Sequence, residues 1–161
     1  MKKLILVRHA KSSWKESVED KARSLTNRGI RDAHLVSSEI QKYLPKTFVI
    51  WCSSAKRAME TSMIFTQSMS FPAESIIFKD ELYTFDVDQL EKVVKSCNND
   101  CDCLILFGHN AAITDFVNKF GDVFIENVPT SGLVSIDIDV NSWKDIKKGK
   151  TRKTLFPKDL K

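Results

Sequence analysis

Residues Leu4 to Trp14 read LILVRHAKSSW, and the fold can be worked out from this stretch outward. Leu4 to Val7 is an apolar run of four, short and bounded by charge, which is the pattern of a strand buried on both faces. Such a strand belongs to a parallel sheet, and open α/β sheets carry their chemistry at the carboxyl ends of their strands. Arg8 and His9 stand at that end. A guanidinium beside an imidazole disfavours the imidazolium, so His9 is expected to be neutral and nucleophilic at physiological pH while Arg8 holds an anion. The pair points to phosphoryl chemistry.

The remaining chain alternates helix and strand. Thr26 is placed to cap a helix that runs to about Tyr43, with Ile30, Ala33, Ser37, Ile40 and Leu44 forming one buried stripe and Pro45 closing it. Phe48 to Cys52, FVIWC, is a second buried strand. Ser53 and Ser54 then precede a helix from about Ala55 to Gln67. Lys56 and Arg57 in its first turn oppose the helix dipole unless an anion lies between them and the backbone N–H groups. A third strand, about Ser75 to Lys79, leads to Asp86-x-x-Gln89, a capping box for a helix ending near Ser96. Cys103 to Phe107 is the fourth strand, ending at Gly108-His109-Asn110, and a helix from Ala111 to Phe120 follows. From Val134 to Val140 apolar and polar residues alternate, as in a half-exposed edge strand. This order predicts an α/β fold of three layers, a mostly parallel central sheet with helices on both faces, in a single domain of residues 1–161. Right-handed crossovers bring the ends of the first, second and fourth strands to one site.

Composition removes other classes. The net charge of +4 comes from 25 Lys and Arg against 21 Asp and Glu spread along the chain, without the basic stripe of a nucleic-acid binder. The richest basic run, Lys144 to Lys153, reads as a solvated hairpin. No apolar run approaches a membrane span or a signal-peptide core, so a cytoplasmic protein with no membrane partner is expected. Cys52, Cys97, Cys101 and Cys103 lack zinc-site spacing and are expected as reduced thiols, with no metal and no cofactor. Cys52 and Arg57 form C-x4-R, one residue short of the C-x5-R loop of cysteine-dependent phosphatases and without its glycine, so Cys52 reads as core filler. The lone His34 carries no role.

With Arg57 and Gly108-His109 in register, RHAKSSW resembles the histidine phosphatase superfamily, and within it the small SixA-like phosphohistidine phosphatases. Asp20-x-x-Arg23-x-Leu25-Thr26 with Arg28-Gly29 resembles the family's DxxRxLxxRG stretch. SSAKRAMETS resembles its S-P-x-x-R-A-x-x-T-A stretch, with Ser54 in place of the proline, and GHN, PTSGL and PKDL also match. The resemblance implies a phosphoglycerate mutase-like fold. His9 is then the nucleophile, Arg8, Arg57 and His109 bind phosphate, and a pocket is lined by the AKSSW segment, in which Ser12 and Ser13 are the candidate hydroxyls. The competing reading of that segment is an exposed loop pinned to the core by Trp14. Related chains place a glutamate after Tyr83 as proton donor, where this one has Thr84; Glu81 and Asp86 remain as candidate acids, though each also reads as a surface or capping residue.

Three functions compete. The expected one is a phosphatase working through a phosphohistidine intermediate, its partner a phosphohistidine-bearing protein domain or, alternatively, a small phosphorylated metabolite. A phosphomutase needs room and basic residues to keep a bisphosphate, and this chain has no insertion for a lid. A non-catalytic phosphate-binding module has no use for both histidines.

Overall fold

The computed structural model describes residues 1–161. Its centre is a six-stranded sheet in the order β3-β2-β4-β1-β5-β6: β1 Lys2–Arg8, β2 Val49–Ser53, β3 Ile77–Lys79, β4 Cys103–Gly108, β5 Leu133–Ile138 and β6 Lys150–Leu155. The first four strands in chain order run parallel, and β5 and β6 are antiparallel additions beyond β1. β1 is therefore flanked on both sides, which is why its run is apolar throughout.

Alternation along β1 divides the core. Leu4 and Leu6 face a layer built from α3 (Val87–Lys95) and α4 (Ala112–Phe120), where they meet Leu90, Val94, Ile113 and Phe116. Ile5 and Val7 face the opposite layer, α1 (Asn27–Ile40) and α2 (Lys56–Ser68), through Ala33, Val36, Ala58 and Phe65. The expected three layers are present. A short helix, α5 (Pro157–Leu160), packs beside α1.

Three expectations need correction. The strand beginning at Leu133 is not an edge: β6 pairs along it, so Leu133–Ser135, Ile136 and Ile138 are all buried, and the basic run supplies the true edge. Ile30 is 39% exposed, and Asp32 takes the buried position because Arg28 and Lys161 supply cationic partners at 3.7 and 3.2 Å. Trp14 is 77% exposed and pins nothing to the core.

What positions the site is register. Arg8 pairs with Gly108, and Phe107 stands between Val7 and Cys52, so the carboxyl ends of β1, β2 and β4 lie side by side. The loop after β1 is held by α1. Thr26 Oγ1 accepts the Gly29 N–H at 3.0 Å, and the Lys11 carbonyl accepts the Thr26 N–H at 2.9 Å. A Cβ on Gly29 would collide with the Lys11 backbone, so the glycine of Arg28-Gly29 is required by this close approach.

Alanine is worth about 1 kcal/mol more than glycine inside a helix. Gly29→Ala is nonetheless expected to destabilise the fold by about 1–3 kcal/mol in urea unfolding, because Lys11 must move. The same variant should bind inorganic phosphate more weakly. Stabilisation would contradict this account of the contact.

Candidate active site

A cavity of about 410 Å³ opens at the carboxyl edge of the sheet. Arg8, Lys11, Arg23 and Arg57 contribute four cations to its lining against the single carboxylate of Asp20. This imbalance favours an anionic occupant.

His9 stands at its floor, 7% exposed. Backbone bonds fix its position: the His9 N–H donates to Gly108 O at 3.1 Å, and the Ser131 N–H is shared between the Arg8 and His9 carbonyls at 3.1 and 3.2 Å. Ser131 reaches both only by adopting φ = 64°, in the left-handed region, which accounts for the PTSGL turn. His9 Nδ1 lies 2.7 Å from Ala10 O, so Nδ1 carries the proton and Nε2 keeps its lone pair with no protein partner. Ala10 is in turn held by Thr61 Oγ1, which accepts its N–H at 2.9 Å and donates to Arg57 O at 2.7 Å, tying the loop to α2. Burial, and after it the charges of Arg57, Arg8 and Arg23, push the His9 pKa down to about 4 against the opposing pull of the Ala10 carbonyl. The ring is neutral at physiological pH.

His109 is 1% exposed and lies behind the cavity wall, its ring 5.2 Å from that of His9. Tyr83 and Phe85 pack edge-on against it at 5.4 and 5.6 Å. Burial, then His9 and Arg57, lower its pKa to about 3. Ser53 Oγ lies within hydrogen-bond distance of Nε2, at 2.8 Å, and accepts the Ala55 N–H at 3.2 Å. The other ring nitrogen, Nδ1, is buried and unpartnered. Arg8 Nε and Arg57 Nε are likewise buried without a partner. Buried donors in this state cost about 1–3 kcal/mol each, and a bound oxyanion would satisfy those within its reach.

Asp20 and Arg23 were visible in the sequence only as part of a resembling stretch, with no role attached. Asp20 opens a single turn of 3₁₀ helix, Asp20–Ala22, and its side chain joins the cavity cations. Arg57 donates to Asp20 Oδ2 at 3.0 Å and to the Asp20 carbonyl at 2.7 Å; Arg23 Nε donates to Oδ1 at 3.2 Å; the Tyr83 hydroxyl also bonds Oδ2. The Tyr83 bond first, then Arg57 and Arg23, hold the Asp20 carboxyl down at about 2. It is ionised throughout the neutral range.

Of the two candidate hydroxyls, Ser12 lines the cavity and accepts from Arg23 Nη1 at 2.7 Å, whereas Ser13 Oγ turns to the Lys15 N–H outside it. Neither candidate acid reaches the cavity. Asp86 caps α3 by accepting the Gln89 N–H at 3.0 Å, and Glu81 is exposed on the turn after β3. Cys52 is buried in the core with its thiol pushed up to about 12, the opposite of what a nucleophilic cysteine needs. All four cysteines are free thiols, and no helix is long and apolar enough to cross a membrane.

Residues 4–101 match the model of the histidine phosphatase superfamily, branch 1. The chain belongs to that superfamily. An uncharacterised protein of Mycobacterium tuberculosis is 26% identical over 153 residues, covering 89% of this chain and 93% of its own. Among solved structures, the protein histidine phosphatase SixA in complex with tungstate superposes with a TM-score of 0.82 at 18% identity, covering 99% of both chains. A SixA candidate from Nakamurella multipartitia gives 0.80 at 21% identity, covering 97% of this chain and 96% of its own. The histidine phosphatase/phosphoglycerate mutase-like fold is thereby established for a superfamily member whose sheet edge carries RHA and GHN.

The two lowered histidine pKa values set a pH dependence. An unfolded histidine takes up its proton near 6.5, while the folded rings resist until about 4 and about 3. The unfolded state therefore binds more protons in this window, and stability falls as pH drops from 6.5 toward 4. Urea unfolding should show this decline, with a smaller slope in His9→Asn. NMR should find both rings neutral at pH 5.5; a His9 ring titrating near 6.5 would contradict the assignment.

Proposed function

We propose that this chain is a phosphatase acting through a transiently phosphorylated His9, and that its substrate is phosphohistidine on a protein. The observation that carries the reading is a neutral, buried imidazole with Nδ1 tied to Ala10 and Nε2 free, set among three guanidiniums that a single carboxylate only partly balances. His9 Nε2 attacks phosphorus in line. Arg8, Arg57 and His109 supply preorganised donors to the equatorial oxygens, with Ser12 holding Arg23 in place beside them. The bond from phosphorus to the leaving group breaks and its electron pair departs with that group. Water then attacks phosphorus, the P–Nε2 bond breaks with its electron pair returning to Nε2, and phosphate leaves carrying the protons of the water, so that His9 is again neutral with its proton on Nδ1.

The choice of substrate follows from the acid. Asp20 is the carboxylate in the cavity, and its hydrogen bonds keep it ionised, while Glu81 and Asp86 stand elsewhere. An alkoxide leaving from an ester needs a proton from the enzyme. A phosphohistidine ring protonated at its distal nitrogen leaves as neutral imidazole, and transfer from one imidazole to another moves no net proton. The cavity opens to solvent, as a side chain presented by a partner domain requires. A protein histidine phosphatase, SixA, shares this fold over 99% of both chains.

His9→Ala is expected to lose more than a hundredfold in turnover of a phosphohistidine-bearing protein domain while retaining its fold and its affinity for tungstate. Glu81→Gln and Asp86→Asn should stay within about twofold of wild type. Preference for sugar or aryl phosphates, with collapse of that activity in either carboxylate variant, would replace this reading by a small-molecule phosphomonoesterase. Transfer to a second acceptor in single turnover would indicate a mutase, and tight phosphate binding without turnover a binding module.

A further inference from the structure

Two apolar side chains line the otherwise polar cavity, Trp14 and Phe85, and both are largely uncovered, at 77% and 52% exposure. Neither belongs to the core. Each is nevertheless oriented by a residue of the site. The Arg23 guanidinium stacks on the Trp14 ring with its central carbon 3.5 Å from the ring centroid, and that guanidinium is itself buried and anchored by Ser12 Oγ, the Ser13 carbonyl and Asp20. Phe85 stands edge-on to His109 and to Tyr83, with ring centroids 5.6 and 5.7 Å away. Uncovered aromatic surface held in a fixed orientation at the rim of an anion site is surface available to whatever the anion is attached to.

In-line displacement fixes where that attachment lies. The nucleophile and the leaving group occupy opposite sides of phosphorus. His9 is at the buried floor, so the leaving group must project toward the mouth, where Trp14 and Phe85 stand. We propose that Trp14 and Phe85 form a leaving-group platform that selects planar aromatic rings, the imidazole of a phosphohistidine in particular, by stacking and edge contacts. This rests on the phosphoryl-transfer reading given above and adds a specificity element to it. The platform provides what the phosphate donors cannot, discrimination between two phosphoryl compounds with the same –PO₃ group.

The test separates the ring from the phosphate. In His9→Ala protein, where no covalent transfer occurs, binding of N-phosphoimidazole and of phosphoramidate, which has the same N–P linkage without a ring, is measured by calorimetry. The ring compound is expected to bind roughly tenfold more tightly. Adding Trp14→Ala or Phe85→Ala should cut that preference to less than about threefold, and Trp14→Phe should restore most of it. Equal binding of the two compounds overturns the proposal. So does a Trp14→Ala loss equal for both, which would make Trp14 a prop for Arg23 alone. With His9 restored, failure to hydrolyse either compound while the ring preference survives would refute the phosphatase reading and leave the platform standing. Hydrolysis of both without ring preference would do the reverse.

Discussion

The hydrogen bond from His9 Nδ1 to the carbonyl of its own neighbour, Ala10, is the contact on which the site depends. It selects one tautomer, and with it the nitrogen whose lone pair is left free. A bond between adjacent residues is geometrically demanding, because the backbone must fold back toward the ring just as the strand ends. Three other contacts keep it there: Gly108 O receives the His9 N–H, Ser131 N–H clamps the carbonyls of Arg8 and His9, and Thr61 holds Ala10 N–H. β4, the turn before β5, and α2 thus converge on three consecutive residues, Arg8 to Ala10. The cost includes a serine at positive φ, of order 1 kcal/mol or more, accepted where the surrounding structure determines the conformation.

Electrostatics adds the second constraint. Three guanidiniums brought together would repel one another and resist desolvation, and Asp20 is the compensation, bonded to Arg23, Arg57 and Tyr83 at once. Its charge lowers the cost of assembling the cations while leaving the cavity net positive. The arrangement holds the histidines neutral and the carboxylate charged at the same pH, so the division of roles is set by surroundings and not by residue type.

The layers, the first five strands and the carboxyl-edge placement of Arg8, His9, Arg57 and Gly108-His109 were legible because they rest on local periodicity: a buried parallel strand is apolar throughout, and its end is marked by the first polar residues. Caps at Thr26 and Asp86 were legible for the same reason. The position of β5 was not, since alternation reports which face is polar and says nothing of whether another strand lies alongside. Ile30 and Asp32 exchanged places because Asp32 gains its partners from Arg28 and from Lys161, the latter more than a hundred residues away. Asp20 could be read as a residue of a resembling stretch, but its function is a relation among Arg23, Arg57 and Tyr83 that exists only once the chain has folded.

The sheet order carries a kinetic consequence. β1, which leads directly into His9, pairs with β4 through Lys3 and Cys103 and with β5 through Leu4 and Ile136. Both partners lie a hundred residues or more along the chain, so the strand synthesised first cannot find its neighbours until most of the polypeptide has emerged. Contacts of such high sequence separation are slow to form, because loop closure precedes any gain from pairing. Until then Leu4 to Val7 is an unpaired apolar β segment, open to association with other chains. Completion of the cavity edge is therefore a late event in the life of each new molecule, and a nascent chain interrupted before β5 holds an Arg-His pair without the turn that clamps it.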